Sequence, residues 1–297
     1  MSRVLAGLEA WEIQPSEVLL ADELGIGRTA DVFAAAWGER DVAVKVIKTG
    51  VSKMTQQMRD SMCRELAILT AIDHDNAIKM LGIFPDEPIS IVMELCWGGT
   101  IFELLHESDV PLSWMQNLKM LLDTANVMMY LHDFNPPIIH RDLKSLNILL
   151  ASEVVGPVSV PQVKVADFGF SRTSGCHQSI MTKGVGTVQW MAPESIDCID
   201  GYDERVDVYS FAILMYEIIC RAIPFEEVSD GMRLGLMVLS GRRPDVGLVP
   251  EDTPADLEDC MRKCWHEDPA QRLAFKEIHP ILESAYKVVS AYKVFSL

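Results

Sequence analysis

With 297 residues, 49% of them hydrophobic and 23% charged, the chain is long enough to bury a core and too apolar to be disordered. It carries 26 Lys and Arg against 43 Asp and Glu, a formal charge of −17. That balance repels nucleic-acid phosphates and anionic membranes, so neither is expected as a partner.

The seven cysteines, at 63, 96, 176, 198, 220, 260 and 264, are odd in number and form no C-x-x-C pair. Cys260, Cys264 and His266 lack a fourth ligand and the spacing of a zinc finger, so buried free thiols are expected. Free thiols fit a reducing compartment. Glu9 interrupts the short apolar stretch after Arg3, which argues against a signal peptide. The longest apolar run, Phe211–Cys220, is broken by Glu217 and is too short to span a bilayer. A cytoplasmic location is expected.

Residues 1–15 read as an N-terminal extension that contains Trp11-Glu12-Ile13, ahead of a first strand at Val18-Leu19-Leu20. Leu24-Gly25-Ile26-Gly27-Arg28-Thr29-Ala30-Asp31-Val32 reads as strand, turn and strand. Glycine lets a backbone approach phosphates closely, because it lacks Cβ and tolerates positive φ. A lone G-x-G turn is more often a plain hairpin. Asp41-Val42-Ala43-Val44-Lys45-Val46-Ile47 alternates and is β-branched, hence a third strand. From Ser52 to Ile72 the pattern is helical, with Met54, Met58, Met62, Leu66 and Leu69 near a 3.6-residue spacing. Taken singly, Lys45 is a solvated edge residue and Glu65 a solvated helix charge. Ile78–Phe84 and Ile89–Leu95 add two strands, giving a small lobe of five strands and one helix over residues 16–95. Met93-Glu94-Leu95-Cys96 then runs into Trp97-Gly98-Gly99, a composition shift that suits a hinge.

Beyond it the chain turns helical, near 100–106 and 112–133, until Pro136-Pro137. His140-Arg141-Asp142-Leu143-Lys144-Ser145-Leu146-Asn147 follows, a polar loop feeding a buried strand at Ile148-Leu149-Leu150. Residues 151–162, with Gly156, Pro157 and Pro161, read as a surface loop insertion. A second β-prone run, Val163-Lys164-Val165-Ala166, ends in Asp167-Phe168-Gly169, and Trp190-Met191-Ala192-Pro193-Glu194 comes later. Helices near 205–220, 230–240, 255–265 and 275–291 complete a larger lobe over 96–290, with a tail at 291–297.

The three polar stretches read H-R-D-x-K-x-x-N, D-F-G and A-P-E, in the order of the protein-kinase signature set. On these motifs the sequence resembles a eukaryotic protein kinase over nearly its whole length. The resemblance implies an α+β, two-lobed protein kinase fold, with a five-stranded antiparallel N-lobe carrying one helix and a larger, mainly helical C-lobe. It also implies transfer of the γ-phosphate of ATP to protein hydroxyls with Mg²⁺, or Mn²⁺ as a substitute. Asp142 would orient the acceptor hydroxyl and take its proton, and Lys144 would touch the γ-phosphate. Asn147 and Asp167 would be the metal ligands. Lys45, held by Glu65, would reach the α- and β-phosphates. Leu24, Gly25 and Gly27 would cover the nucleotide, and Val32, Ala43 and Leu149 would sandwich adenine. Backbone groups of Glu94 and Cys96 would bond adenine, with Met93 behind it. The same residues serve equally as ordinary core packing.

His140 is implied to stack with Leu69, Met80 and Phe168, Asp207 to anchor the loop backbone, and Glu194 to pair with Arg272. Trp11-Glu12-Ile13, Lys144-Ser145, Gly186-Thr187-Val188-Gln189-Trp190 and Asp207-Val208-Tyr209-Ser210-Phe211 resemble the tyrosine-kinase-like group of Ser/Thr kinases. Protein substrates presenting Ser or Thr are therefore expected. Arg141 calls for a phosphate partner in the segment between Asp167 and Glu194, with Arg172 as a second donor. Thr182 or Ser179 is the expected phosphosite, with Thr173 and Ser174 as alternatives, modified by the chain itself or by an upstream kinase. Thr187 is expected to contact Asp142 and Lys144. The sequence departs from the family pattern at Ala30, where a third glycine is usual, and at Thr29, which replaces a loop-tip aromatic. Those departures leave a pseudokinase acting as a binding scaffold as the first alternative reading; a tyrosine or dual-specificity kinase is the second.

Overall fold

The computed structural model describes residues 7–27, 29–168, 172–173, 188–197 and 202–294. The chain divides into two compact units, Met1–Trp97 and Gly98–Leu297. The first is built on a sheet and the second mainly on helices, as the α+β expectation requires.

In the first unit, β1 (Val18–Ile26), β2 (Ala30–Trp37), β3 (Arg40–Ile47), β4 (Met80–Phe84) and β5 (Ser90–Glu94) form an antiparallel sheet ordered β1-β2-β3-β5-β4. Directly opposed residues share a face, so the register sorts the side chains into two sets. Val18, Ala35, Val42, Val44, Phe84 and Val92 make one buried cluster, with Ile13, Trp37, Val46 and Leu81 packed against it. The opposite face carries Val32, Ala43, Lys45 and Met93, because Val32 faces Lys45 and Ala43 faces Met93 across the ladders.

The helix of this unit, α1 (Gln56–Ala71), starts four residues later than the periodicity predicts. Thr55 sets that start: its hydroxyl accepts the Met58 N–H at 3.2 Å and satisfies one donor of the first turn. Val51–Lys53 form a separate 3-10 turn ahead of it. Met62, Leu66, Ile68 and Leu69 are its buried residues. Glu12 and Ile13 join the sheet at β4. Glu12 bridges Ile83 in parallel, the Ile13 N–H donates to the Ile83 carbonyl at 3.2 Å, and the Ile13 side chain lies over Gly82.

The second unit holds α2 (Ile101–His106), α3 (Trp114–His132), α4 (Pro193–Ile196), α5 (Arg205–Cys220), α6 (Gly231–Leu239), α7 (Ala255–Cys264) and α8 (Phe275–Val294). Two-stranded ladders join β6 (Ile138–Ile139) to β9 (Arg172–Thr173), and β7 (Ile148–Leu150) to β8 (Val163–Val165). Capping boxes open α2 at Thr100 and Glu103, and α3 at Ser113 and Gln116. Buried Gln116 also donates through its amide nitrogen to the carbonyls of Gly156 and Ser159, at 2.8 and 2.9 Å. This pins the inserted loop, which leaves Val155, Val158 and Val160 exposed. α3 packs along α8, and α5 against α7. Every residue of α5 from Val206 to Ile219 is buried. An apolar helix belongs in a core. Its two carboxylates, Asp207 and Glu217, therefore need donors from the chain around them.

Gly98 opens this unit in a tight place. Its N–H donates to the Leu150 carbonyl at 3.0 Å, and a Cβ there would lie 2.3 Å from the Ser152 carbonyl oxygen and 2.6 Å from the Leu150 Cβ. One obstacle is backbone, so the clash has no side-chain relief. Gly98→Ala should lower stability by about 1–3 kcal/mol. A denaturant midpoint equal to that of the unsubstituted chain would contradict this contact.

Candidate active site

The first unit supplies the glycine turn and an ion pair. Gly27 N–H donates to the Ala30 carbonyl at 2.9 Å, and a Cβ on Gly27 would lie 2.6 Å from that oxygen, so the turn closes only without a side chain. Around Gly25 there is open space: a Cβ would meet nothing within 4 Å. Leu24, Gly25 and Gly27 are all exposed. Ala43 is buried, while Val32 and Met93 are half-buried, on the face that carries Lys45. Lys45 Nζ lies 2.5 Å from Glu65 Oε1 of α1, with side chains only 17% and 12% exposed. That pairing holds a flexible ammonium in one place, which a phosphate contact requires. The Glu94 N–H donates to the Lys79 carbonyl at 3.0 Å, and the Glu94 carboxylate accepts the Lys79 N–H at 2.8 Å, which fixes the end of β5. Cys96, half-buried and in no disulfide, lies just beyond. Leu69 and Met80 are both buried in this unit.

The second unit supplies the polar loop, and Asp207 organises it. Oδ2 accepts the His140 N–H at 2.8 Å, Oδ1 accepts the Arg141 N–H at 2.8 Å, and His132 Nε2 lies 3.0 Å from Oδ2. Burial pushes this carboxyl up, yet the hydrogen bond and charge of His132 and the Arg141 amide help outweigh it, and the carboxyl stays below its ordinary value. Held this way, Arg141 adopts φ 70°, in the left-handed region. Its guanidinium lies 5.0 Å over the Tyr202 ring. The His140 ring meets Phe168 edge-on at 5.3 Å. His140 Nδ1 accepts the Asp142 N–H at 3.3 Å, so its Nε2 is the protonated nitrogen that donates to the Ala166 carbonyl at 3.1 Å.

Asp142 is buried, and its Oδ2 is approached from two sides, by Lys144 Nζ at 2.8 Å and Asn147 Nδ2 at 3.0 Å. Asn147 Nδ2 also donates to the Asp142 carbonyl at 2.7 Å. The Ala166 N–H donates to the Asn147 carbonyl at 2.9 Å, which brings Asn147 beside Asp167 at the end of the β7–β8 ladder. Asp167 takes φ 63°, a second non-glycine residue in a region that costs energy and recurs at functional sites. Both Asn147 bonds use the amide nitrogen, so neither spends the amide oxygen. An amide oxygen and a carboxylate are hard donors that fit Mg²⁺, which takes further positions from phosphates and water. Leu149 is half-buried and bridges Thr100.

Glu194 and Arg272 form a buried two-pronged pair at 2.5 and 2.9 Å. Tyr209 lies between two guanidiniums, 5.0 Å from Arg243 and 5.2 Å from Arg272, and burial pushes its hydroxyl up to about 12. Arg28, Gly169, Ser174, Ser179, Thr182, Gly186 and Thr187 lie outside the described residues, as do the side chains of Arg172 and Thr173. Sequence reasoning gives no role to His132 or His106, and no partner to Trp190 or Glu217. The available signal was a carboxylate inside an otherwise apolar helix, which must find partners.

The model of the family described as protein tyrosine and serine/threonine kinase matches residues 18–282, and the chain belongs to that family. It is 32% identical over 284 residues to the Arabidopsis thaliana protein "Serine/threonine-protein kinase STY17", covering 95% of this chain and 47% of that one. It is 35% identical over 282 residues to "Probable serine/threonine-protein kinase drkC" of Dictyostelium discoideum, covering 92% and 36%. A third relative, "Probable serine/threonine-protein kinase pats1" of the same organism, is 32% identical over 288 residues, covering 93% and 9%. The chain thus spans between about a tenth and about half of the length of these relatives.

A carboxyl held below its unfolded value stabilises the fold above that value, and this contribution is lost as pH falls through the folded value. Asp207 should therefore make stability fall on acidification below about pH 4. Asp207→Asn should give a shallower acid limb in thermal-unfolding midpoints taken from pH 6 to pH 2. Parallel limbs for the two proteins would refute the assignment.

Proposed function

We propose that this chain is a protein serine/threonine kinase domain that transfers the γ-phosphate of Mg-ATP to Ser or Thr hydroxyls of protein substrates. The observation that carries the reading is the Asp142 carboxylate, set by a buried anchor and approached by Lys144 and Asn147 within 3.0 Å. Phosphoryl transfer asks for alignment and charge neutralisation rather than covalent help. Asp142 positions the acceptor hydroxyl and takes its proton at the carboxylate. Lys144 Nζ, already 2.8 Å from Asp142 Oδ2, stands where it can also touch the transferred group. Lys45, steadied by Glu65, binds the remaining phosphates, and the open space at Gly25 lets backbone approach them. The Asn147 amide oxygen and the Asp167 carboxylate would hold Mg²⁺, which supplies charge neutralisation when bound. Val32, Ala43, Met93, Glu94, Cys96 and Leu149 form the adenine contacts in this reading, with Leu24 and Gly27 over the nucleotide.

Specificity for Ser or Thr rests on Lys144-Ser145 and on the names of the relatives, which are serine/threonine-protein kinases. Among the described residues no helix is long and apolar enough to cross a membrane. Cys63, Cys96, Cys220, Cys260 and Cys264 form no disulfide, which suits work in the cytoplasm. Phosphorylation of the segment that follows Phe168, by the chain itself or an upstream kinase, would engage Arg141.

The test is autophosphorylation and peptide phosphorylation with labelled ATP and Mg²⁺. The unsubstituted chain should label Ser or Thr, and Asp142→Asn should lose roughly 10²–10⁴-fold in rate with Mg-ATP binding retained. Arg141→Ala should lose any gain that follows phosphorylation. A folded, ATP-binding chain that labels nothing with or without an upstream kinase would leave a scaffold, and label on tyrosine would overturn the specificity.

A further inference from the structure

Glu217 takes no part in the steps above, yet it is as heavily bonded as Asp207, the other carboxylate of α5. It has no exposed surface. Three segments of the chain send donors to it. Ser145 Oγ donates to Oε1 at 2.6 Å, and His106 Nε2 lies 3.0 Å from the same oxygen. Trp190 Nε1 donates to Oε2 at 2.9 Å. Ser145 is itself fully buried and lies in the polar loop, three residues after Asp142 and two before Asn147. Trp190 is buried as well, ahead of the Pro193–Ile196 helix.

One turn further along, Arg221 ends α5 at φ 48°. Its guanidinium donates to the carbonyls of Leu104, Leu105, Ser108 and Val110. The C-terminal end of α2 is therefore fastened to α5 twice, by Arg221 and by His106. Removing a carboxylate from water costs several kcal/mol unless good hydrogen bonds offset it, and an apolar side chain fills such a space at less cost. Here all the donors come from segments outside α5. Two of them, Ser145 and Trp190, belong to the stretches that carry the H-R-D and A-P-E motifs. The charge is placed to fix those stretches against each other.

We propose that Glu217 is a positioning residue: its buried carboxylate clamps Ser145 to Trp190, and so sets the spacing between the loop that carries Asp142 and Asn147 and the stretch from Trp190 to Glu194. α2 is tied to the same carboxylate through His106. In its consequence for catalysis this rests on the kinase reading, but the clamp itself is a statement about the loop.

Two variants test it, Ser145→Ala and Glu217→Gln, singly and together. Glu217→Gln keeps the shape and can still accept from Trp190, while losing the charge that holds Ser145. Ser145→Ala removes one hydroxyl and is the variant of choice should Glu217→Gln fold poorly. The first readout is amide hydrogen exchange, which needs no activity. Exchange in residues 141–147 should rise about tenfold in each single variant while α3 and α8 stay unchanged. The second is kinetic: kcat should fall about tenfold with KM for Mg-ATP unchanged. The double variant should be no slower than the slower single one, because both break the same clamp. Unchanged exchange at 141–147, or exchange raised evenly throughout the unit, would overturn the proposal, as would multiplying kinetic losses. Should the unsubstituted chain transfer no phosphate, the kinase reading fails by itself, and the exchange result still decides the clamp.

Discussion

Asp207 is a carboxylate with no exposed surface, and the polar loop is built on it. It lies in the first turn of α5, where the helix dipole favours negative charge. Its oxygens take the N–H groups of His140 and Arg141 and a bond from His132. Those bonds help hold Arg141 at positive φ, a conformation that costs about 1–3 kcal/mol for a side chain of this kind. With them, the next residue, Asp142, is presented in one orientation, and Lys144 and Asn147 close on its carboxylate. A buried charge of this sort fixes arrangement more reliably than it adds stability. The Glu194–Arg272 pair follows the same logic elsewhere in the second unit.

Period-two alternation made β3 legible, and the apolar periodicity of α3 and α5 told where the large helices run. The loop between Ile139 and Ile148 was legible because a cluster of polar and charged residues sits between two apolar flanks. Glu65 was legible as the partner of Lys45 only through the kinase resemblance, since a helix glutamate is otherwise a solvated charge. The start of α1 was misread because Met54 fits the helical spacing, while the local hydrogen bond at Thr55 decides the boundary. Trp11-Glu12-Ile13 was visible as a motif, but its place beside β4 depends on Gly82 making room for Ile13.

The buried polar contacts were the least legible part of the site. His132 reaches Asp207 across 75 positions, and Glu217 meets Ser145 across 72 and His106 across 111. No local pattern encodes such pairings. They arise because α5 is buried all round, and its two carboxylates must be satisfied by whatever packs against it. For Glu217 the trace in the sequence is the charge inside the Phe211–Cys220 run, which reads there only as an interruption, whereas Asp207 is expected to anchor the loop backbone through the kinase resemblance.

In the proposed function, Asn147 and Asp167 would hold the Mg²⁺ that nucleotide binding requires. Thermal melting with ATP, in the presence and absence of Mg²⁺, tests it most directly. At ligand a hundredfold above its Kd, binding should stabilise by roughly 2.7 kcal/mol, a shift of several degrees. The shift should require both ATP and Mg²⁺ and be lost in Asp167→Ala. A shift of equal size without Mg²⁺, or one that Asp167→Ala keeps, would contradict it.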